Sequence, residues 1–381
     1  MIATLDVDIR PGHGLGLFEL GSSLWNVLDL LRSLPHIFPQ VDIKYDVDSS
    51  VITPVVLHIR PHLDLLFSGH HQRLHTICVR RLRDPHPPLI VHYKDTIMSS
   101  QEEVLRRLGV SRTFGPTYPG DDLHYPGVWF SFEEDRIGEG IKASGPGHTE
   151  DRMQEVKRII VSQKGPEGDE RDALEEVLEC PIMHDDIARA IVKVHRGVTL
   201  YQHLPSAGPI QIQLGVTTAQ DLTCDLGPPL RTHYKEDDRM SIHSTTRETE
   251  EEEEADYFYN YFQHGIDVLI SGHTHVCKKI ILHTNIPGTP LFQRYKRCLW
   301  QIEGQPEDDE DDTPPRMKFY DRFESINHFL SPREMPPSMV LDRTDDEENL
   351  ILPNSTTRLM GYDGIILEVT ESGHVVSVML F

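Results

Sequence analysis

Short runs of alternating apolar and polar residues dominate this chain, and they predict strands. Ile2, Leu5, Val7 and Ile9 alternate with polar neighbours over the first ten residues, so one face of a strand is buried there. Further strands are predicted at Val41–Tyr45, Pro54–Ile59, Leu63–Phe67 and Leu74–Val79, the last two flanking Ser68-Gly69-His70 as a hairpin turn. Between them the spacing changes to that of a helix. Leu24, Val27, Leu28 and Leu31 share one helical face, Ser22-Ser23 supply a cap, and Pro35 and Pro39 end the run. Ser99-Ser100 with Glu102-Glu103 predict a capping box for a second helix over Val104, Leu105 and Leu108, closed by Gly109, before a strand at Gly127–Phe132.

The same sequence of elements then recurs. Thr217-Thr218 cap a helix to Leu226, which Gly227-Pro228-Pro229 stops. Strands follow at Tyr257–Phe262, Asp267–Ile270 and Lys278–Leu282, then a helix at Asp321–Leu330 and strands at Gly364–Thr370 and Val375–Leu380. Letter identities repeat as well. Asp64–Val79 (DLLFSGHHQRLHTICV) aligns without a gap to Asp267–Leu282 (DVLISGHTHVCKKIIL). Leu20-Gly21 recurs as Leu214-Gly215, and Tyr125-Pro126-Gly127-Val128 as Tyr362-Asp363-Gly364-Ile365. An internal repeat decides a fold before its details do. The expected class is α+β: two repeated domains, each an antiparallel sheet with helices packed on one face. The first domain is placed at residues 1–140 and the second at 207–381, with a connecting segment at 141–206. Within that segment Glu155–Val161 reads as a strand, Gly165–Arg171 as a polar loop, and Arg171–Leu178 and Asp186–Val194 as helices.

The formal charge of −24 is concentrated rather than spread. Glu248 with Glu250–Glu254, Glu307–Asp312 and Asp345–Glu348 hold six, six and four acids. They predict self-repelling, solvated insertions near 245–255, 305–315 and 343–350 of the second domain. An acidic surface argues against nucleic acid, whose phosphates need Lys and Arg. Cys78, Cys180, Cys224, Cys277 and Cys298 form no C-x-x-C pair and are odd in number, which fits a reducing compartment. No signal peptide is read at the N-terminus, and no apolar run approaches the roughly 18 residues of a membrane span. A cytoplasmic protein with peripheral membrane recruitment is expected.

Four stretches could carry chemistry or recognition. Gly272-His273-Thr274-His275 looks like the last histidine motif of a two-metal phosphoesterase, since alternate strand residues could aim two imidazoles at one metal. That reading also needs a D-x-H, a bridging Asp and an Asn-His pair. Asp84-Pro85-His86 and Asp122-Leu123-His124 lack the following G-D-x-x-D, and Asn327-His328 lies on a predicted helix. The first repeat carries His70-His71-Gln72 at the same place, so a surface hairpin explains the motif better. Pro11–Gly16 is Gly-rich but is not a nucleotide loop. Tyr257, Tyr259 and Tyr261 belong to a strand expected to be buried on both faces or to carry a partner surface. Lys278 and Lys279 with Arg294, Lys296 and Arg297 form a basic patch that could meet an anionic headgroup or could be solvated strand ends. The candidate interface is therefore Tyr257, Tyr259, Tyr261, His273, His275, Lys278 and Lys279. No catalytic residue, metal site or cofactor is expected.

Longer strings add a resemblance. Tyr234–Ser244 (YKEDDRMSIHS), Asp256–Phe262 (DYFYNYF), Leu282–Asn285 (LHTN) with Pro287-Gly288, Arg297-Cys298 and Val375–Phe381 (VVSVMLF) resemble the phagosome assembly factor one family, as do Leu20-Gly21, Asn26–Leu31 and Gln72-Arg73-Leu74. The resemblance covers most of the chain and is densest over 208–300. It implies a non-enzymatic regulator of autophagy that acts with a WD40-propeller partner at the phagophore assembly site, where phosphoinositides mark the membrane. A Golgi or trans-Golgi trafficking role with direct phosphoinositide binding is the alternative implied. No catalytic residues carry over.

Overall fold

The computed structural model describes residues 4–49, 51–117, 121–132, 151–164, 176–204, 206–235, 255–304, 314–330, 336–342 and 355–381. The three acidic runs, and residues 171–175 of the helix expected at Arg171–Leu178, lie outside them.

The chain divides into two units. One comprises Met1–Asp46 and Ile52–Ile182, the other Val47–Val51 and Met183–Phe381. In the first unit, β1 (Leu5–Arg10), β2 (Gly14–Leu15) and β3 (Phe18–Glu19) lead to α1 (Leu24–Ser33). A meander of β4 (Val41–Lys44), β5 (Val55–Ile59), β6 (Leu63–Phe67) and β7 (Leu74–Val79) follows. Then come β8 (Leu89–Tyr93), β9 (Thr96–Ser99), α2 (Arg107–Phe114), β10 (Leu123–Tyr125), β11 (Val128–Ser131) and β12 (Arg158–Ser162). The five-stranded sheet has the order β3-β2-β1-β8-β9 and the seven-stranded sheet β10-β11-β12-β7-β6-β5-β4.

The second unit repeats this order. β13 (Ile187–Lys193), β14 (Gly197–Gln202) and β15 (Ile210–Gln213) precede α3 (Ala219–Leu226). β16 (Arg231–Tyr234), β17 (Tyr257–Tyr261), β18 (Ile266–Ile270) and β19 (Cys277–His283) form the meander. β20 (Trp300–Glu303), β21 (Arg316–Lys318), α4 (Phe323–Leu330), β22 (Ser338–Asp342), β23 (Thr356–Tyr362), β24 (Ile365–Thr370) and β25 (Val375–Leu380) complete it. Its sheets have the orders β15-β14-β13-β20-β21 and β22-β23-β24-β25-β19-β18-β17-β16. β22 is the strand without a counterpart among the described residues. The fold is α+β with repeated, mainly antiparallel sheets. One parallel pair per unit, β1 with β8 and β13 with β20, joins strands separated by the helix and the meander. In the second unit Val192 and Leu200 of one sheet, Val268 and Leu282 of the other, Leu222 of α3 and Ile326 of α4 lie in one buried core.

The repeated letters mark a joint. In the first unit the N–H of Gly21 donates to Leu74 O (2.8 Å), that of Leu74 to Ser22 O (2.8 Å) and that of Leu24 to Gln72 O (2.8 Å). In the second, Gly215 donates to Cys277 O (2.7 Å), Cys277 to Thr217 O (2.8 Å) and Ala219 to His275 O (2.9 Å). The Leu-Gly corner and the helix cap are thus bonded to the far side of the Ser-Gly-His loop. The corner needs a left-handed residue, and Gly21 (φ 90°) and Gly215 (φ 71°) supply it without a Cβ penalty. Ser23 caps α1 by accepting from Asn26, and Thr218 with Asp221 forms a full capping box on α3.

Four sequence expectations give way. Asp186–Val194 is not a helix: Ile187–Lys193 is strand β13, paired on both sides, because Ala190, Ile191 and Val192 are buried in a sheet interior that suits β-branched residues. The second helix starts at Arg107, not after Ser100, and runs through Gly109 to Gly115. Ser100 Oγ does accept from Glu102 and Glu103, but Val156 N–H bonds Leu105 O and Arg107 N–H bonds Gln154 O, which hold 105 and 106 extended up to the helix start. Residues 141–206 contribute β12 to the first unit and β13 and β14 to the second. Strand β17 is buried at Tyr257 and Tyr261 alone, with Phe258, Tyr259 and Asn260 half-buried, so it is not enclosed on both faces.

The joint generates a prediction. A Cβ on Gly69 would collide with the carbonyl oxygen of Ile52. Gly69→Ala should lower the stability of the first unit by roughly 2 kcal/mol or more, read as a lower denaturant midpoint. An unchanged midpoint would show that this loop yields without cost.

Candidate interaction site at the second hairpin loop

The candidate residues gather where β17, β18 and β19 meet the loop Ser271–Val276. Alternate positions of β17 place Tyr257, Tyr259 and Tyr261 on one face, with ring centroids 5.4 and 6.3 Å apart. Tyr261 lies at the core end, donating to Gly227 O (3.2 Å), and burial pushes its phenol far above the ordinary value. Tyr257 lies at the loop end. Its hydroxyl meets His275 Nδ1 at 2.9 Å, and Tyr234 of the edge strand β16 packs on it at 5.6 Å between centroids.

Asp256 organises the loop. Its carboxylate accepts from Lys278 Nζ (2.8 Å) and from the N–H of Gly272 (3.2 Å). Burial raises its pKa, but Lys278 and the Gly272 N–H outweigh burial and hold the carboxyl below its usual value. His273, Thr274 and His275 are exposed. His275 sits in the left-handed region (φ 54°), where its carbonyl can reach the first N–H of α3.

This geometry bears on the metal-site alternative. His275 spends one ring nitrogen on Tyr257, and among the described residues no group of three or more His, Cys, Asp or Glu side chains is placed to hold a metal ion. Asn327, the other half of the sought pattern, accepts from Tyr362 on β23 (2.7 Å). The basic patch is also dispersed. Lys278 is paired with Asp256, Arg294 stands 5.8 Å over the Phe262 ring, Lys296 is buried against Asp186, and Arg297 is buried, donating to Thr284 O and Val51 O (both 2.8 Å). Lys279 is half-buried. Two of the five cations thus hold the fold from inside it, contrary to both readings of them as surface charge.

Below the loop lies a buried polar cluster that sequence reasoning did not find. Asp267 accepts from Asn260 Nδ2 (2.7 Å) and Tyr295 OH (2.7 Å) and meets His283 Nε2 (2.9 Å), with the His283 and Tyr295 rings stacked at 3.7 Å. The first unit has the same arrangement with other side chains: Asp64 meets His58 Nδ1 (2.6 Å) and Arg80 Nε (2.8 Å). The Asp shared by the two aligned strings was the available signal. Asp256, Tyr234 and exposed Val216 were also missed, because nothing in one sequence marks them as neighbours of the loop. Among the cysteines, all five are free; Cys277 and Cys298 are buried, which pushes both thiols up to about 12.

The family model described as Phagosome assembly factor 1 matches residues 14–381. The chain belongs to that family. A PHAF1 protein of Arabidopsis thaliana is 27% identical over 403 residues, covering 98% of this chain and 92% of its own length. PHAF1 proteins of Drosophila melanogaster and Caenorhabditis elegans are 26% and 25% identical, over 99% and 96% of this chain and 94% and 90% of theirs. No solved structure matches. Among the described residues no helix is long and apolar enough to cross a membrane. Family membership supports a role in phagosome assembly.

One ionisable group tests the packing under the site. His264, in the β17–β18 turn, is held down to about 4 by burial and then by the Lys296 charge. A histidine whose folded pKa lies below its unfolded value resists protonation, so its contribution is complete above about 6.5 and is lost as pH falls toward 4. Unfolding free energy should drop by on the order of 2 kcal/mol across that window, and His264→Gln should flatten the drop. A His264→Gln protein with an unaltered pH profile would assign the acid sensitivity elsewhere.

Proposed function

We propose that this chain is a non-enzymatic adaptor in autophagy, a phagosome assembly factor recruited with a WD40-propeller partner to the phagophore assembly site. The observation that carries the reading is the family match over nearly the full length, 14–381, rather than over one motif. The geometry supports it in three ways. The histidine motif is built into a hairpin joint found in both units. The buried acids are spent on cross-strand bonds. The exposed features are a loop and sheet edges such as β16, which serve recognition. Recruitment is peripheral, from the cytoplasm. The dispersed basic patch favours recruitment through a protein over direct capture of anionic lipid by Lys278 and Lys279.

Affinity purification of the tagged full chain from starved cells, followed by mass spectrometry, tests this. A WD40-propeller protein and early autophagy factors should co-purify, and the tagged chain should form puncta with them. Recovery of Golgi tethering factors alone, with puncta confined to that organelle, would replace this reading with a trafficking role.

A further inference from the structure

The two units offer an internal comparison at the Ser-Gly-His loop. In the first unit the loop is occupied by the chain's own acidic segment. Glu176 Oε1 accepts from the N–H of His70 (3.0 Å) and of His71 (3.3 Å), and Oε2 lies 3.4 Å from His71 Nδ1. Two residues on, Gln163 clamps the Leu178 backbone, accepting from its N–H (2.7 Å) and donating to its carbonyl (3.0 Å). Two further on, Cys180 Sγ reaches Leu20 O at 3.5 Å. An extended peptide, Glu176–Cys180, therefore crosses the joint from the loop to the Leu-Gly corner. Under it Leu20 is 3% exposed and Gln72 2%.

The second unit builds the same joint with no peptide crossing it among the described residues, and Asp256 takes the Gly272 N–H from the side (3.2 Å). Gly215, His273, Thr274 and His275 are exposed, and Val216 is 63% exposed. Of the two N–H groups equivalent to those on Glu176, Thr274 donates at 3.3 Å to Ser271 Oγ, and His273 donates to nothing among the described residues. Consecutive backbone N–H groups of this kind cradle an anion. Of the cations near the joint, Lys193 is paired with Glu303 (3.1 Å) and Lys278 with Asp256 (2.8 Å), which leaves Arg196 beside the corner. A cavity of about 460 Å³ beside the corner is lined by Lys193, His195, Arg196, Gln213 and Leu214, and Leu214 N–H bonds Arg196 O.

We propose that this second joint binds an acidic, extended peptide of a partner protein, with a Glu or Asp side chain on the N–H groups of His273 and Thr274 and an apolar residue against Val216. The self-bound peptide of the first unit defines the occupant. The inference rests on the adaptor reading only for the origin of the peptide, and binding in solution can fail or succeed independently of any role in autophagy.

The probe is a fluorescent peptide with the sequence of residues 174–179, Leu-Glu-Glu-Val-Leu-Glu, titrated into the full chain with anisotropy as readout. One peptide should bind per chain. The version with all three Glu replaced by Gln should bind about ten-fold more weakly or worse. Val216→Glu, an exposed change that leaves the fold intact, should abolish binding by placing a like charge at the corner. Glu176→Ala should vacate the first loop and raise the stoichiometry to two. Absence of saturable binding, equal affinity for the Gln peptide, or indifference to Val216→Glu overturns the proposal. Binding that appears only after residues 248–254 are replaced by Gly-Ser repeats also overturns it, because the chain's own acidic run then fills the site.

Discussion

The corner hydrogen bonds between each Leu-Gly turn and each Ser-Gly-His loop are the constraint on which both units depend. A helix begins with N–H groups that lack partners. Here the first of them, from Leu24 or Ala219, is met by a loop carbonyl rather than by a side chain. That carbonyl belongs to Gln72 or His275, and each sits at positive φ, which turns the carbonyl toward the helix. The backbone of the histidine in the phosphoesterase-like string is thereby committed to the joint, while its imidazole turns outward to Tyr257. A catalytic-looking spelling has arisen from a hairpin geometry that a glutamine satisfies equally in the other unit.

The repeated Asp imposes a second constraint. A carboxylate inside a sheet costs several kcal/mol unless it is bonded, and each unit bonds it to both neighbouring strands. The partners have been exchanged, His58 and Arg80 against Asn260 and His283, while the acid has stayed. Neutral or charged donors serve alike, provided that they approach from the adjacent positions of the flanking strands. This explains why the Asp and the loop survive in the aligned strings when most letters between them do not.

Much of this fold was legible because its strands are half-buried and short. Alternation located β5, β6 and β7 to within a residue, and cap chemistry located α1 and α3. It failed at β13, where Ile187-Ala-Arg-Ala-Ile-Val carries too few polar residues for alternation and enough helix formers to suggest a helix. It failed at β8 and β20 because a parallel partner lies roughly 80 and 110 residues away, and no local periodicity encodes a pairing that distant. The tyrosine ladder could be placed on a strand, but its one-sided burial depends on β16 and β18 alongside it. For the site, the repeat located the loop, whereas Asp256 and Val216 join it only through the joint. The basic patch misled for the reason that Arg and Lys bury their stems and spend their heads on carbonyls and acids as readily as on water.

A duplicated unit lets one copy be closed and the other kept open at no cost to the fold, since both joints satisfy their own backbone. The first loop is shut by a segment of its own chain that is tethered next to it. Tethering raises the local concentration of that segment to a level no free partner matches, so even weak contacts suffice to hold it. The second loop has no such segment among the described residues, and any occupant must come with enough contacts of its own to offset the loss of free motion. An acidic side chain on the N–H groups of His273 and Thr274, with an apolar neighbour against Val216 and Arg196 close by, is the combination of contacts that the proposed occupant would bring. The difference between the copies is thus one of tethering rather than of architecture.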